Sequence, residues 1–457
     1  METYRAGHVT YDKDVVMHGI LKLFKKEPIT PHLTNYDKEI RQIADPERVV
    51  IPLEYPGRVR YLPAVEPGDT VTCGQVIGKS RIGNCVCASI SGTVKEITSV
   101  WTAQSYHSSA IVIENSGDSS NTLQDVLDGP IDAPKDPEAA MKRLRAAGVA
   151  PPWSLSGREF EKDGDIPELP PVETVFITGV RQETTILTSQ LLLEQFPDKV
   201  ADGLKKFASM MPNAHFILTA PEEARSWADA KFKDLAQVEY LPESYLGRIE
   251  REIISRITNK RIPNRESYRF HGIAVLDVEY LLAMVDALDG VSPLTQKCLT
   301  ISGSTIDRAI TVRFPLGSSI QHILSSQGLD ASNYTRHVVG GPMMGFAQFS
   351  DSTSLTYNNG LFLVAEDVAP FDAVAPCINC GRCTRICPVD IQVHLINRMI
   401  EFGQLEQAAK LHPEACHECG LCANVCPAER PIVQLLHFCN HEMVHGERYN
   451  WITGDNS

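Results

Sequence analysis

The chain has 457 residues, 43% of them hydrophobic and 22% charged, and a formal net charge of −14. Length predicts about three domains or more, and the acidic balance argues against nucleic acid as a partner, because phosphate neutralisation needs clustered positive charge. No run approaches the ~18 consecutive apolar residues of a membrane span, and the opening Met1–His8 reads as neither a signal peptide nor an anchor.

Residues 1–48 are polar and mixed, with Pro28 and Pro31 as breakers, and read as an extended arm that packs on later domains. Residues 49–114 read as all-β. β-branched runs such as Val49–Leu53, Val65–Val71 and Gly92–Ile97 alternate with turn residues at short intervals. The pattern from Val65 through Gly68-Asp69 and Gly74-Gln75 to Ile77 resembles the lipoyl/biotinyl barrel-sandwich hybrid. Carrier versions of that barrel present a lysine at a hairpin tip. Between Lys79 and Lys95 the only cation is Arg81, so a structural barrel is expected here, not a swinging arm.

Residues 115–171 read as a linker, with a helix over Asp136–Ala147 stopped by Gly148 and irregular backbone at Pro151, Pro152, Pro167, Pro170 and Pro171. Residues 172–292 alternate strands (Val172–Thr178, Ala214–Thr219, Val238–Leu241, Gly272–Leu276) with helices (Thr185–Phe196, Glu222–Phe232, Tyr245–Ile257, Val278–Leu288). That alternation predicts a Rossmann-like α/β domain with a mainly parallel sheet. Residues 293–365 read as a β-grasp domain: strands Cys298–Ser302, Ala309–Phe314 and His337–Val339, with a helix over Ser319–Ser326.

Residues 366–441 carry eight of the thirteen cysteines, in two copies of one run. Cys377, Cys380, Cys383 and Cys387 precede Pro388; Cys416, Cys419, Cys422 and Cys426 precede Pro427. Both runs read C-x2-C-x2-C-x3-C-P, the bacterial ferredoxin pattern for a [4Fe–4S] cluster. Three closely spaced thiolates reach three irons of one cube, and the fourth ligates the other cube. Cys377, Cys380, Cys383 and Cys426 are therefore expected on one cluster, and Cys416, Cys419, Cys422 and Cys387 on the other. Gly381 and Gly420 allow close backbone approach, and each fourth cysteine is expected to begin a helix leading away. Zinc ribbons instead pair two C-x2-C units across a long loop. Such a cluster pair relays single electrons, and no catalytic residue is expected in the chain.

The other cysteines, Cys73, Cys85, Cys87, Cys298 and Cys439, read as small buried hydrophobes. His437, His441 and His445 share one helix face, which reads as solvated. Residues 442–457 read as a polar tail.

Taken in order, the multidomain α/β series resembles the RnfC subunit of the Rnf ion-translocating electron-transport complex. The resemblance is carried by Ile51-Pro52-Leu53, the Val65–Gly78 barrel text, Ser91–Val94, Val339-Gly340-Gly341-Pro342-Met343-Met344-Gly345 and both cysteine runs. It implies a peripheral subunit at the cytoplasmic face of the cell membrane. The partners implied are the membrane and iron–sulfur subunits of the complex, and ferredoxin. Typical members also bind FMN and NADH on a loop of the type G-x-G-G-A-G-F-P-T. Here the aligned stretch is Ala146-Ala147-Gly148-Val149-Ala150-Pro151-Pro152-Trp153-Ser154, with one glycine and two prolines that have no N–H. The family's acidic segment N-G-x-E-C-E-P becomes Thr178-Gly179-Val180-Arg181-Gln182-Glu183-Thr184, in which Glu183 is a remnant.

FMN and NAD are therefore expected to be absent. The expected acceptor is then a multihaem cytochrome or a membrane quinone-like carrier. The rivals are an FMN-dependent subunit reactive with NADH and a structural adaptor.

Overall fold

A computed structural model describes residues 3–6, 9–12, 33, 35–55, 59–104, 106–117, 129–133, 135–152, 169–181, 183–262, 266–365 and 376–445. The chain divides into two compact units. The larger spans Pro31–Glu243 and Gly247–Pro370, and the other holds the cysteine runs within Phe371–Ser457.

The larger unit begins its globular part with two four-stranded sheets. One joins the strands Arg48–Pro52, His107–Asn115, Gly92–Trp101 and Thr70–Val71; the other joins Glu54–Tyr55, Val59–Pro63, Val76–Ser80 and Cys85–Cys87. Alternate residues Val49, Ile51, Ile111, Ile113 and Val94 point into one buried cluster with Ile77, Val86 and Ile90. That period of two is what a half-buried strand requires. Gly92 is obligatory in its strand, because a Cβ there would lie 1.9 Å from the Glu114 carbonyl oxygen.

The next layer is a four-stranded parallel sheet in the order Gln237–Leu241, His215–Pro221, Thr174–Thr178, Ile273–Asp277. Both of its faces are covered, so its strands read as continuous apolar runs. Val175, Ile177, Leu218, Ala274 and Leu276 pack with Leu192, Leu204, Leu281 and Leu288 from the helices Thr188–Gln195, Pro197–Met210 and Val278–Leu288. Phe176, Ile217 and Ile273 face the other way, onto Ile253 and Ile254 of the helix Glu250–Thr258.

Two sequence expectations need correction here. The helix expected from Thr185 starts at Thr188, and a second helix, Pro197–Met210, follows at once where none was expected. Proline at a first helical position starts a helix, since its missing N–H would be unpaired there anyway. The helix Pro137–Ala146 is capped by the Asp136 carboxylate accepting from the Ala139 N–H at 2.9 Å, and buries Ala140 and Leu144 in the α/β core.

Six strands form the third sheet, in the order Phe346–Gln348, Arg336–Val339, Gly360–Val364, Gln296–Gly303, Ala309–Pro315, Tyr36–Gln42. The last of these pairs in parallel with Ala309–Pro315. The helix Ile320–Ser325 closes this core through Ile320, Ile323 and Leu324.

In the cysteine unit, the helix Val393–Glu401 turns Val393, Ile396 and Ile400 inward at helical spacing. They meet Ile432, Leu436 and Cys439 of the helix Ile432–His445. That helix runs four residues beyond 441, where a polar tail was expected to begin. Among the described residues no helix is long and apolar enough to cross a membrane.

Candidate iron–sulfur site

Each cysteine run folds as a loop that turns twice into left-handed backbone and then makes a short helix. The left-handed residues are Asn379 and Gly381 in the first run and Glu418 and Gly420 in the second. Gly381 and Gly420 then cap the helices Arg382–Ile386 and Leu421–Asn424. Asp390 and Glu429, three residues past each fourth cysteine, are left-handed too. Positive φ is uncommon outside glycine and costs energy. Its repetition at matching places in both runs shows two copies of one local structure.

The fourth cysteine does not begin a helix as expected. Cys387 is the extended C-cap of Arg382–Ile386, and the next helix starts only at Val393. Cys426 likewise follows Leu421–Asn424, and the next helix starts at Ile432. The cause is Pro388 or Pro427, which disfavours helical backbone in the residue before it.

The thiols fall into two groups that mix the runs. One cavity is lined by Cys387, Cys416, Cys419 and Cys422, with Gly420 and His417. A second is lined by Cys377, Cys380, Cys383 and Cys426, with Gly381 and Arg430. Cys416, Cys419 and Cys422 are each 7% exposed, while Cys377, Cys380, Cys383, Cys387 and Cys426 are half-buried. Among the described residues no three His, Cys, Asp or Glu side chains converge closely enough to chelate a single metal ion. The thiols ring a space instead, which suits a multi-atom core.

Electrostatics tests the fit. Burial pushes the Cys416 thiol far up, and the neighbouring Cys422 and Cys419 raise it further. Cys422 is pushed up to about 12 by burial and then by Cys419. Crowded, buried thiols resist ionising unless something positive stands among them, and thiolate coordination to iron supplies that charge. Backbone N–H groups are aimed at the sulfurs: Glu418 N–H donates to Cys416 Sγ at 3.3 Å, and Val389, Asp390 and Ile391 donate to Cys387. Hydrogen bonds of this kind tune cluster potentials. The residues present fit two [4Fe–4S] groups.

Beside the first-run thiols, Arg385 and Arg398 are exposed, and Arg398 donates to the Asn379 side-chain oxygen at 3.2 Å. Ile378, between Cys377 and Cys380, is 63% exposed. Of the helical histidines, His437 stands 3.4 Å from the Glu418 carboxylate and His441 pairs with Glu442. The remaining cysteines Cys85, Cys87, Cys298 and Cys439 are buried and Cys73 is half-buried.

The sequence that aligns with a flavin loop is engaged elsewhere in the larger unit. Gly148 N–H donates to Arg145 O and Val149 N–H to Leu144 O, closing the preceding helix. Ala150 O accepts from the Tyr280 hydroxyl at 2.8 Å, and Ala147 O from Leu294 N–H at 2.8 Å. Val149 and Ala150 are buried. Trp153 and Ser154 lie outside the described residues. Glu183 is 3% exposed and accepts from the backbone N–H of Met343 at 3.1 Å and Met344 at 2.8 Å. Arg181 stacks on Tyr36 and pairs with Glu243 at 3.4 Å. Sequence reasoning placed Glu183 at a flavin crevice and missed these partners, which no local signal marks.

Residues 376–429 match the 4Fe-4S dicluster domain family, and residues 27–118 match the RnfC barrel sandwich hybrid domain. The chain is a relative of the RnfC subunits. It is 25% identical over 366 residues to a subunit of the Na(+)-translocating ferredoxin:NAD(+) oxidoreductase complex of Acetobacterium woodii, covering 76% of this chain and 80% of that one. It is 27% identical to a subunit of the ion-translocating oxidoreductase complex of Pseudomonas aeruginosa, covering 80% of this chain but 49% of the relative, so it spans about half of that protein's length. Among solved structures, an NAD+-reducing [NiFe]-hydrogenase in the H2-reduced state is similar at a TM-score of 0.40 and 15% identity, over 74% of this chain and 70% of that one.

Proposed function

We propose that this chain is the electron-transferring subunit of a membrane-bound Rnf-type complex, with two [4Fe–4S] clusters and neither FMN nor NAD. The observation that carries the reading is the sorting of eight thiols into two rings of four, each drawn from both runs. Cys377, Cys380, Cys383 and Cys426 would hold one cluster, and Cys416, Cys419, Cys422 and Cys387 the other. When bound, such a cluster stores and releases single electrons. The chain's residues shape the route. The buried thiols of the second run insulate their site, and the half-buried thiols beside Ile378, Arg385 and Arg398 offer a face for an acidic redox partner such as ferredoxin.

The parallel sheet is read as Rossmann-like and the six-stranded sheet as a β-grasp domain. Neither is given a flavin in this reading. An anion at a glycine-rich loop needs converging N–H donors. Those of Gly148 and Val149 close a helix, and Pro151 and Pro152 have none. Glu183 is likewise tied to backbone elsewhere. A multihaem cytochrome or a quinone-like carrier is then the proposed acceptor, and the cytoplasmic membrane face the proposed location.

The ferredoxin:NAD(+) name of the Acetobacterium relative favours a rival, an FMN-dependent subunit reactive with NADH. Iron, sulfide and flavin analysis of natively purified protein separates the two. About eight irons without flavin supports the relay; flavin at one per chain overturns it.

A further inference from the structure

The loop Gly340–Gly345 is built around a carboxylate. Glu183, 3% exposed, sits with Oε2 3.1 Å from the Met343 nitrogen and Oε1 2.8 Å from that of Met344. The backbone of Gly341 donates to it as well. Converging N–H groups of successive residues form a nest, the fold's usual receptor for an anion.

The glycines explain themselves on this geometry. A Cβ on Gly341 would stand 2.0 Å from Glu183 Oε2. A Cβ on Gly345 would stand 2.4 Å from the Gly341 carbonyl oxygen, which accepts the bond that closes the loop. Gly340 has φ of +100°, where side chains are strained. Burial pushes the Glu183 carboxyl up, and the bonds from Met343, Met344 and Gly341 pull it back down. A buried carboxylate without such donors would be far costlier.

We infer that the Gly340–Gly345 loop is an anion receptor for small carboxylates, that Glu183 is its resident ligand, and that this self-ligation closes the receptor to external anions. The ligation ties the segment after strand Thr174–Thr178 to a loop 160 residues further on. It does not rest on the electron-transfer reading.

The test uses the full chain and its melting temperature, with sodium formate as probe against sodium chloride at equal ionic strength. Glu183→Ala leaves three donors unanswered and is expected to melt about 4–8 °C lower. Formate should recover part of that loss in Glu183→Ala and leave the wild type unmoved. Gly341→Ala, whose Cβ takes the carboxylate's place, should melt lower without responding to formate. Glu183→Gln keeps one acceptor oxygen and should fall between the wild type and Glu183→Ala, which serves if Glu183→Ala fails to fold.

An unchanged melting temperature in Glu183→Ala would overturn the inference. So would a loss that formate does not touch, an equal formate response in the wild type, or a Glu183→Gln protein melting at or above the wild type.

Discussion

Replacing Lys297 by methionine should be among the most damaging single changes in the larger unit. Lys297 Nζ lies 2.7 Å from Glu279 Oε2, and the two side chains are 6% and 10% exposed. Glu279 also accepts the Cys298 N–H at 2.5 Å. The pair therefore joins the helix Val278–Leu288 to the strand Gln296–Gly303 where little water reaches. Exposed ion pairs contribute roughly 0–1 kcal/mol. Removing one partner of a buried pair strands the other charge and costs about 3–5 kcal/mol. Lys297→Met should fall in that range. Lys297→Met with Glu279→Gln should recover most of it, because the amide keeps an acceptor for Cys298 N–H and carries no charge. Urea unfolding followed by tryptophan fluorescence would measure both. A single variant within about 1 kcal/mol of wild type, or a double variant worse than the single, would refute the reasoning.

Three further outcomes are expected. Cys387→Ser should perturb the EPR signal of the cluster bound by Cys416, Cys419 and Cys422, and a change confined to its sequence neighbours' cluster would sink the crossed assignment. Charge reversal at Arg382 and Arg385 should slow electron entry from ferredoxin at low ionic strength and matter little at high salt; a low-salt rate equal to wild type removes this patch from the route. Burial pushes the Cys73 thiol up to about 11, and Cys87 and Cys298 higher still. Below those values the thiols stay protonated and unreactive, so iodoacetamide at pH 8 should leave all three unlabelled until the protein is unfolded, as peptide mass mapping would report.

The cysteine chemistry was legible because it is local: spacing within each run fixes the loop, and repetition of the run reveals the exchange of fourth ligands. The strand–helix alternation of the parallel sheet was legible from apolar runs for the same reason. What escaped was decided at a distance or by proline. Tyr36–Gln42 is polar and becomes a strand only because Ala309–Pro315 offers it an edge. Glu183 carries no mark of a partner loop far along the chain. Pro197 read as a stop is a start, and Pro388 and Pro427 hold the fourth cysteines out of the helices expected of them.

The account turns on what the chain holds when purified without denaturation. Quantifying iron, acid-labile sulfide and extractable flavin on one sample tests it most directly. The account predicts about eight irons and eight sulfides per chain, no FMN, and no oxidation of NADH by the isolated subunit. Stoichiometric FMN, or NADH oxidation by that subunit, would contradict it.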